Sequence, residues 1–246
     1  MSEERISVHW PAHQSLRVGI LTDLHVGSPF NGIVKLHDIV DRTNAARPDV
    51  ICILGDLVIQ GVLGGQFVSP EEVATQLQRL HAPAGVVAVL GNHDGWFDHA
   101  RVQAALENNG IRVLEETAAK VATPTGPLWI AGISDLWTRR HDIAAALSAV
   151  TDDGVPVILL THNPDVFPLV PRRVALTLAG HTHGGQVRLP FIGRPIVPSQ
   201  FGQRFAAGHV VEDGRHLFVA TGLGTSILPI RFRVPPAVTV LTLVPE

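Results

Sequence analysis

Five short apolar runs of this chain each end in a cluster of small and polar residues. The sequences at these points are "TDLHVG", "LGDLV", "LGNHDG", "LLTHNPD" and "LAGHTHGG". Segments with helical periodicity separate most of the runs, a pattern typical of buried strands joined by crossover helices. The first half of the chain therefore predicts a parallel sheet. About the last forty residues show strand patterns only, so we expect an antiparallel finish and two packed sheets with helices outside.

These patterns predict nine strands and four helices. The strands are Leu16–Thr22, Val50–Leu54, Val86–Leu90, Leu128–Ile133, Val155–Leu160, Val174–Leu178, His209–Glu212, His216–Ala220 and Val238–Leu243. The helices are Ile33–Ala46, Pro70–Leu80, His99–Asn109 and Asp142–Val150. Ser69 precedes Pro70 and is a favourable N-cap for the second helix, because proline is well tolerated at the first helical position.

Composition limits the class of protein and its compartment. The chain has 246 residues and shows no linker or repeat, which predicts a single domain over residues 1–246. Its net charge of −3 argues against a surface for long nucleic acids. The lone cysteine, Cys52, lies among apolar residues and predicts a small buried side chain rather than a disulfide. The chain as given has no export signal or apolar run of membrane-spanning length, so we expect a cytoplasmic protein, with peripheral membrane contact left open.

The polar clusters predict one functional site. In open α/β sheets, ligands bind beyond the carboxyl ends of the strands. Alternate residues of an extended chain point the same way, so the pairs in "DLH" and "HTH" can each converge. Glycines beside them let the backbone turn sharply and approach closely. The residues that the five runs deliver to this edge are Asp23, His25, Asp56, Asn92, His93, His162, His181 and His183.

The chemistry of this set indicates metal binding. It offers carboxylate, imidazole and amide groups but no thiolate, which suits Mn²⁺, Fe or Zn²⁺ better than Mg²⁺. Seven ligands exceed the need of one tetrahedral ion, whereas two divalent ions sharing one carboxylate fit the number. Two-metal sites clamp the attacking and leaving oxygens of an in-line displacement. The alternative is that these residues only cap strands and form turns, a role that Asp and Asn often have.

The motifs "D-x-H", "GD", "GNH", "TH" and "GHTH", in this order from Asp23 to His183, resemble those of the calcineurin-like metallophosphoesterase superfamily. The resemblance implies a four-layer α/β/β/α sandwich of two mixed sheets. It also implies roles for the candidate residues. The ligands of one metal would be Asp23, His25 and His183, those of the second would be Asn92, His162 and His181, and the bridging carboxylate would be Asp56. His93 resembles the family histidine that is not a ligand and sits by the leaving-group oxygen.

One motif departs from the phosphoprotein phosphatases of the superfamily. Their second motif reads "GDxVDRG", whereas this chain has "GDLVIQG", with Ile59 in place of the second Asp. The carboxylate that orients the catalytic histidine is therefore missing at that position, and Asp94 or a backbone carbonyl could replace it. This difference argues against phosphoprotein phosphatase activity.

Other details indicate the branch and the substrate. The stretches "THNPD", "GHTHGGQVRLP" and "GLGTSILPIRF" resemble a bacterial branch that includes cell-envelope phosphoesterases and an enzyme cleaving the pyrophosphate of a diacylated UDP-glucosamine. The segment from Arg188 to Phe205 is rich in apolar residues and arginine, which predicts either a loop packed on the core or an apolar lip for acyl chains.

We therefore expect a phosphoesterase that uses two divalent metal ions. A metal-bridging hydroxide would attack a phosphodiester or pyrophosphate in line, and lipid-linked esters are among the expected substrates. His93 would protonate the leaving oxygen. The alternatives are a non-catalytic metal-binding scaffold of the same fold and a phosphodiesterase for cyclic or short nucleotides.

Overall fold

Two six-stranded sheets form the centre of the protein in a computed structural model, which describes residues 2–8, 15–151 and 154–245. The first sheet has the strand order β1-β12-β2-β3-β4-β5. Its strands are β1 (Ser2–Val8), β2 (Leu16–Leu21), β3 (Val50–Leu54), β4 (Val86–Val89), β5 (Arg112–Val113) and β12 (Thr239–Pro245). Strands β2 to β5 run parallel, as predicted, and β12 is antiparallel to β2.

The second sheet has the order β10-β11-β9-β8-β7-β6. Its strands are β6 (Thr117–Thr123), β7 (Gly126–Gly132), β8 (Val157–Leu160), β9 (Leu176–Ala179), β10 (Gly208–Glu212) and β11 (Arg215–Val219). The central strands β7, β8, β9 and β11 are parallel, whereas β6 and β10 are antiparallel edge strands. Both sheets are therefore mixed, and the last three strands are divided between them.

Helices cover the outer face of each sheet. The helices are α1 (Ile33–Ala45), α2 (Pro70–Leu77), α3 (Asn92–Asn108) and α4 (Ile143–Ser148). The first three pack on the first sheet, and α4 packs on the second together with a 3₁₀ segment at Pro164–Leu169. The predicted cap is confirmed, because the Ser69 hydroxyl accepts a hydrogen bond from the Glu72 N–H at 3.2 Å.

One apolar core lies between the first sheet and its helices, and another fills the space between the two sheets. Strand β3 shows how one run supplies both cores. Ile51 and Ile53 face the helices, whereas Cys52 and Leu54 face the opposite sheet. Burial raises the pKa of the Cys52 thiol to about 12, in line with its predicted role as a small apolar side chain. The expected four-layer sandwich of helices, two mixed sheets and helices is confirmed.

Three strands were not predicted, namely β1, β5 and β6. Helix α3 also begins earlier than the predicted His99. A non-helical residue, Asp98 (φ −169°, ψ 92°), divides it into a short segment from Asn92 and the predicted helix. The Asp98 carboxylate accepts the N–H of Arg101 at 3.1 Å and so caps the second segment. The early segment carries two of the candidate site residues.

Candidate metal centre

The candidate residues come together where the central strands of both sheets end. From the first sheet, Asp23 follows β2, Asp56 follows β3 and Asn92 follows β4. From the second sheet, His162 follows β8, and a turn after β9 carries His181 and His183. All seven predicted ligands are buried. The site therefore spans the boundary between the sheets.

The first group of ligand atoms belongs to Asp23, His25, Asp56 and His183, and these atoms lie within 4.8 Å of one another. Nε2 of His25 is 3.1 Å from Nε2 of His183 and 3.5 Å from Oδ2 of Asp56. Nε2 of His183 is 3.4 Å from Oδ1 of Asp23. Two imidazoles and two carboxylates thus face one small volume.

The second group belongs to Asp56, His162 and His181, again within 4.8 Å. Nε2 of His162 is 3.2 Å from Oδ2 of Asp56 and 3.2 Å from Nδ1 of His181. The amide oxygen of Asn92 lies 3.1 Å from the same Nε2 atom, which places Asn92 beside this group. Asp56 is the member that both groups share.

Backbone carbonyls orient two of the imidazoles. Nδ1 of His25 faces the Val58 carbonyl at 3.2 Å, and Nδ1 of His162 faces the Leu54 carbonyl at 2.6 Å. A proton on Nδ1 serves these bonds and leaves Nε2 with its lone pair toward the site, as in histidine metal ligands. The converging nitrogen and oxygen lone pairs repel one another unless a cation lies between them. The donor set therefore fits divalent metal ions.

Burial and mutual charge strongly perturb the pKa values of these groups. Burial, reinforced by Asp56, raises the pKa of Asp23 to about 7. Burial alone would raise the pKa of Asp56, but neighbouring imidazoles, His162 foremost, hold it well below its ordinary value. Burial opposes charge on His162, yet Asp56 outweighs it and raises the pKa of that imidazole to about 10. Burial lowers the pKa of His25 to about 4. Such opposite shifts within one cluster are typical of functional sites.

Five of the seven ligands have left-handed backbone conformations. The φ angles are 49° at Asp23, 39° at His25, 54° at Asp56, 69° at His181 and 51° at His183. The prediction from extended geometry was therefore wrong: Asp23 and His25 face one ligand group, but His181 and His183 face different groups. Asp and His enter this region more readily than most residues, and such strain concentrates at functional sites.

Two glycines permit the close packing that the motifs suggested. A Cβ atom at Gly91 would collide with the Asp56 carboxylate, and one at Gly180 would collide with the Thr22 hydroxyl and Asp23. Neither glycine has a positive φ angle, so close approach rather than backbone freedom requires them. The glycines before "NH" and "HTH" therefore make room for carboxylates of neighbouring loops.

His93 lies beside the ligand groups without joining them. The backbone N–H of His93 donates to Oδ1 of Asp56 at 2.8 Å, and the imidazole ring packs edge-on against His25 with 4.6 Å between ring centroids. Burial lowers the pKa of His93, although Asp56 opposes the effect. Within the described residues, its buried Nδ1 atom has no hydrogen-bond partner. The His93 ring therefore borders both ligand groups without belonging to either, a position in which a histidine could donate a proton to a leaving group.

Asp94 does not replace the missing acid that orients the histidine. Its carboxylate accepts the N–H groups of Asp56, Leu57 and Gly91 at 2.8 to 2.9 Å. It thereby fixes the loop that carries Asp56 and the start of α3. The position equivalent to that acid is Ile59, which is buried.

A cavity of about 300 Å³ opens over the ligand groups. Its polar floor includes Asp56, Asn92, His93 and His181. Its walls are largely apolar and contain Trp96, Trp137, Ile196, Pro198 and Ile227. A phosphate ester of moderate size can therefore reach the site with an apolar substituent beside it.

The family model described as calcineurin-like phosphoesterase matches residues 16–185, which include every candidate ligand. The chain belongs to the calcineurin-like phosphoesterase family. The metallophosphoesterase YkuE of Bacillus subtilis is 32% identical over 225 residues, covering 90% of this chain and 77% of that protein. The phosphodiesterase YaeI of Escherichia coli is 32% identical over 232 residues, covering 93% and 82% respectively. The expected family and its bacterial branch are confirmed, and the chain is a metal-dependent phosphoester hydrolase.

A solved structure confirms the fold of this calcineurin-like phosphoesterase. The 5'-nucleotidase precursor of Thermus thermophilus superposes with a TM-score of 0.52 at 17% identity. The match covers 83% of this chain and 48% of the other, so the two share the sandwich and differ in length.

Sequence reasoning missed three residues at this phosphoesterase site. Trp96 and Trp137 line the cavity, and Arg231 lies against His183. Arg231 lies in the stretch "GLGTSILPIRF", which indicated only the branch of the family. Trp96 stands four residues after Asn92, so the helical start of α3 was the signal that could have placed it.

Proposed function

We propose that this protein hydrolyses phosphodiesters or pyrophosphates with two divalent metal ions. One observation carries the proposal: two groups of buried nitrogen and oxygen ligands share Asp56 at the floor of an open cavity. Asp23, His25 and His183 would hold one ion, and Asn92, His162 and His181 would hold the other. Mn²⁺, Fe and Zn²⁺ suit these ligands.

Asp56 and His93 would have different roles in the reaction. Two such ions, when bound, lower the pKa of water and neutralise charge on phosphate oxygens. The buried Asp56 carboxylate holds the two ligand groups in one frame and also fixes the N–H of His93. His93 would donate a proton to the leaving oxygen, opposite the attacking water in an in-line displacement. No nucleophilic side chain is required, so no covalent phosphoenzyme forms.

Two features favour a diester over a phosphoprotein. The buried Ile59 stands where the phosphoprotein phosphatases have the acid that orients histidine. The relative YaeI carries the name phosphodiesterase, and 93% of this chain aligns with it. A non-catalytic scaffold of the same fold would not need both ligand groups and a free His93 nitrogen.

An exposed apolar lip beside the cavity favours a substrate with an acyl chain. We define the lip as two neighbouring segments, residues 187–198 and 226–232, which pair at Val187 and Phe232. Phe191 is fully exposed, and Ile192, Ile196 and Ile227 are 64%, 77% and 70% exposed. Such large apolar side chains cost free energy in water and mark interaction surfaces when clustered.

Arginines on or next to the same segments suit an anionic lipid surface. Arg188 is exposed on the lip, Arg194 lies half-buried close to it, and the exposed Arg233 directly follows the second segment. Apolar side chains that enter a bilayer interface and cations that meet its headgroups act together in peripheral binding. In the described part of the chain, no helix is long and apolar enough to span a bilayer. We therefore propose a lipid-linked substrate reached by peripheral contact.

A substrate panel tests the proposed function. Purified protein loaded with Mn²⁺ should cleave bis(p-nitrophenyl) phosphate and nucleotide-sugar pyrophosphates faster than phosphopeptides. Cyclic nucleotides in the same panel test the nucleotide alternative. Absence of turnover on every ester, with two ions bound per chain, would support the scaffold instead.

A paired substitution tests the lip. Phe191→Ser with Ile192→Ser should lower kcat/KM for an acylated diester more than for bis(p-nitrophenyl) phosphate, and should reduce binding to anionic vesicles. Leu169→Ser is the matched control, because Leu169 is 68% exposed on the outer face of the second sheet. Equal losses on both substrates, with unchanged vesicle binding, would reduce the lip to a structural loop.

A further inference from the structure

Two large aromatic side chains stand half-exposed at the mouth of the cavity. Trp96 lies in the first segment of α3 and is 52% exposed. Trp137 lies in the loop after β7 and is 48% exposed. Tryptophan is usually well buried, so an adjacent pair in water at a catalytic cavity calls for a role in binding.

The two indoles form one continuous wall that starts at the site. Their ring centroids are 6.2 Å apart and their planes differ by 25°. Trp137 packs edge-on against His181 at 4.3 Å, and Trp96 packs against His93 at 5.2 Å. The wall therefore touches a proposed metal ligand at one end and the proposed general acid at the other. The rings are too close to admit a third ring between them, which leaves their outer surfaces for a ligand.

The loop that carries Trp137 is held firmly. The Asp135 carboxylate accepts the N–H groups of Trp137 at 2.9 Å and Thr138 at 3.0 Å, together with the Thr138 hydroxyl. A Cβ atom at Gly95 would collide with the Thr138 side chain, so α3 packs directly on this loop. The two rings are thus preorganised, and little rotamer freedom is lost when a ligand binds.

The position of the two indoles indicates which part of the substrate they contact. Under the proposed function, on which this inference rests, His93 protonates the leaving oxygen. Trp96 is the aromatic neighbour of His93 on the cavity side, so the departing substituent lies along the wall. We infer that Trp96 and Trp137 form a leaving-group subsite that takes a flat, largely apolar ring.

The shape of the wall favours a ring over a flexible chain. The outer face of each indole is flat, and ring faces gain from offset stacking beyond the area they bury. Gln186 lines the cavity in addition to the proposed ligand Asn92, but its amide does not provide polar recognition of a nucleobase edge. Its side chain already bonds the backbone of Ser226 and Leu228. The subsite therefore selects for flatness and apolar area rather than for a hydrogen-bonding pattern.

Leaving groups of similar basicity test the subsite. The leaving groups of methyl 2-naphthyl phosphate and methyl phenyl phosphate differ in ring area but have similar basicity. We expect the wild-type protein with Mn²⁺ to favour the naphthyl ester about tenfold in kcat/KM. Trp96→Leu and Trp137→Leu should each abolish most of this ratio, whereas the corresponding changes to Phe should keep it. Trp129→Phe is the control, because Trp129 lies in β7 over Lys120 and does not line the cavity.

A binding measurement separates failure of the subsite from failure of the proposed function. Methyl (2-naphthylmethyl)phosphonate has a P–C bond in place of the scissile P–O bond, so its naphthyl group cannot leave, and its binding can be followed by the fluorescence of that group. Its Kd should rise about tenfold in the two Leu variants and stay unchanged in Trp129→Phe. Diester turnover with an unaltered naphthyl-to-phenyl ratio would overturn the subsite and leave the function intact. A stronger preference for dodecyl than for naphthyl phosphonate, lost in the Leu variants, would overturn the ring assignment. No turnover of any diester would overturn the function, and the fluorescence titration would still test the wall.

Discussion

The guanidinium of Arg231 lies 3.3 Å from Nδ1 of His183 and holds that imidazole from behind. Two of its nitrogens also donate to the Gly224 carbonyl, at 2.6 and 3.0 Å. Burial lowers the pKa of Arg231 to about 10, so it remains a cation at neutral pH. One fixed charge therefore links the loop after β11 to a proposed metal ligand on the loop after β9.

Replacing Arg231 should weaken metal binding at the first ligand group. Arg231 also donates to the backbone carbonyl of His183 at 3.4 Å and so fixes the turn that carries this residue. Loss of groups that support a metal ligand typically costs about 10- to 100-fold in metal affinity. We expect Arg231→Gln to lower Mn²⁺ affinity for one of the two ions by at least tenfold, measured by calorimetry. Arg231→Lys should not restore it, because the planar fork is lost. Arg233→Gln, which alters an exposed arginine on the same loop, is the control. Tighter binding in Arg231→Gln would mean that charge repulsion outweighs ring positioning.

Asp56→Asn should remove more metal than any other single change of a ligand. The carboxylate contacts both groups, and a neutral amide bridges two cations poorly. His183→Ala should affect mainly one ion, because His183 belongs to one group only. Elemental analysis of each variant measures this difference, with Asp38→Asn as control, because the half-buried Asp38 lies on α1 outside both ligand groups. Two ions and full activity in Asp56→Asn would contradict a bridging role.

Metal loading should release protons and strengthen as pH rises. The Asp23 carboxyl has its pKa raised to about 7 and the His162 imidazole has its pKa raised to about 10. Both groups must lose a proton to bind a cation, so affinity increases from pH 6 to pH 8. We expect about a tenfold gain per pH unit for each proton displaced. Calorimetry in buffers of different ionisation enthalpy counts the protons, and a pH-independent affinity would show that these groups are not ligands.

His93→Asn should discriminate between leaving groups while retaining both metals. p-Nitrophenolate departs well unaided, whereas an alkoxide needs a proton. General acid catalysis contributes roughly 10²- to 10⁴-fold, so the variant should lose about a hundredfold on alkyl esters and little on aryl esters. Rates on both ester types, with metal content measured in parallel, provide the test. Equal losses would indicate phosphate positioning, and lost metal would make His93 a ligand.

The fold was largely predictable because buried strands leave strong patterns. Apolar runs such as Val50–Leu54 sit in the centre of a sheet and cannot be mistaken for surface segments. Edge strands leave weaker patterns. Strand β6 (Thr117–Thr123) mixes small and polar residues without regular alternation, and β1 lies at the margin of its sheet beside β12. Their pairing depends on partners far along the chain, which local patterns do not contain.

The sequence predicted which residues come together in the candidate site but not their backbone conformations. The order of the motifs identified which residues converge, because the carboxyl ends of the parallel strands share an edge in each sheet and the two sheets pack together. The left-handed φ angles at Asp56 and His181 come from contacts across loops that no local pattern encodes. Trp137 and Arg231 reach the site from loops without a motif, so only the assembled structure reveals them.

The proposed ligands come from both sheets, and this has a mechanical consequence. Asp56 extends from the first sheet, and His162 and His181 extend from the second. A cation held by all three would join the two sheets by directional bonds, in addition to the apolar packing and hydrogen bonds between them. Because neither half of the ligand set suffices alone, these bonds can form only after the layers have docked. The two sheets would therefore pack together before the ion binds, and a bound ion would indicate that the sheets are correctly aligned.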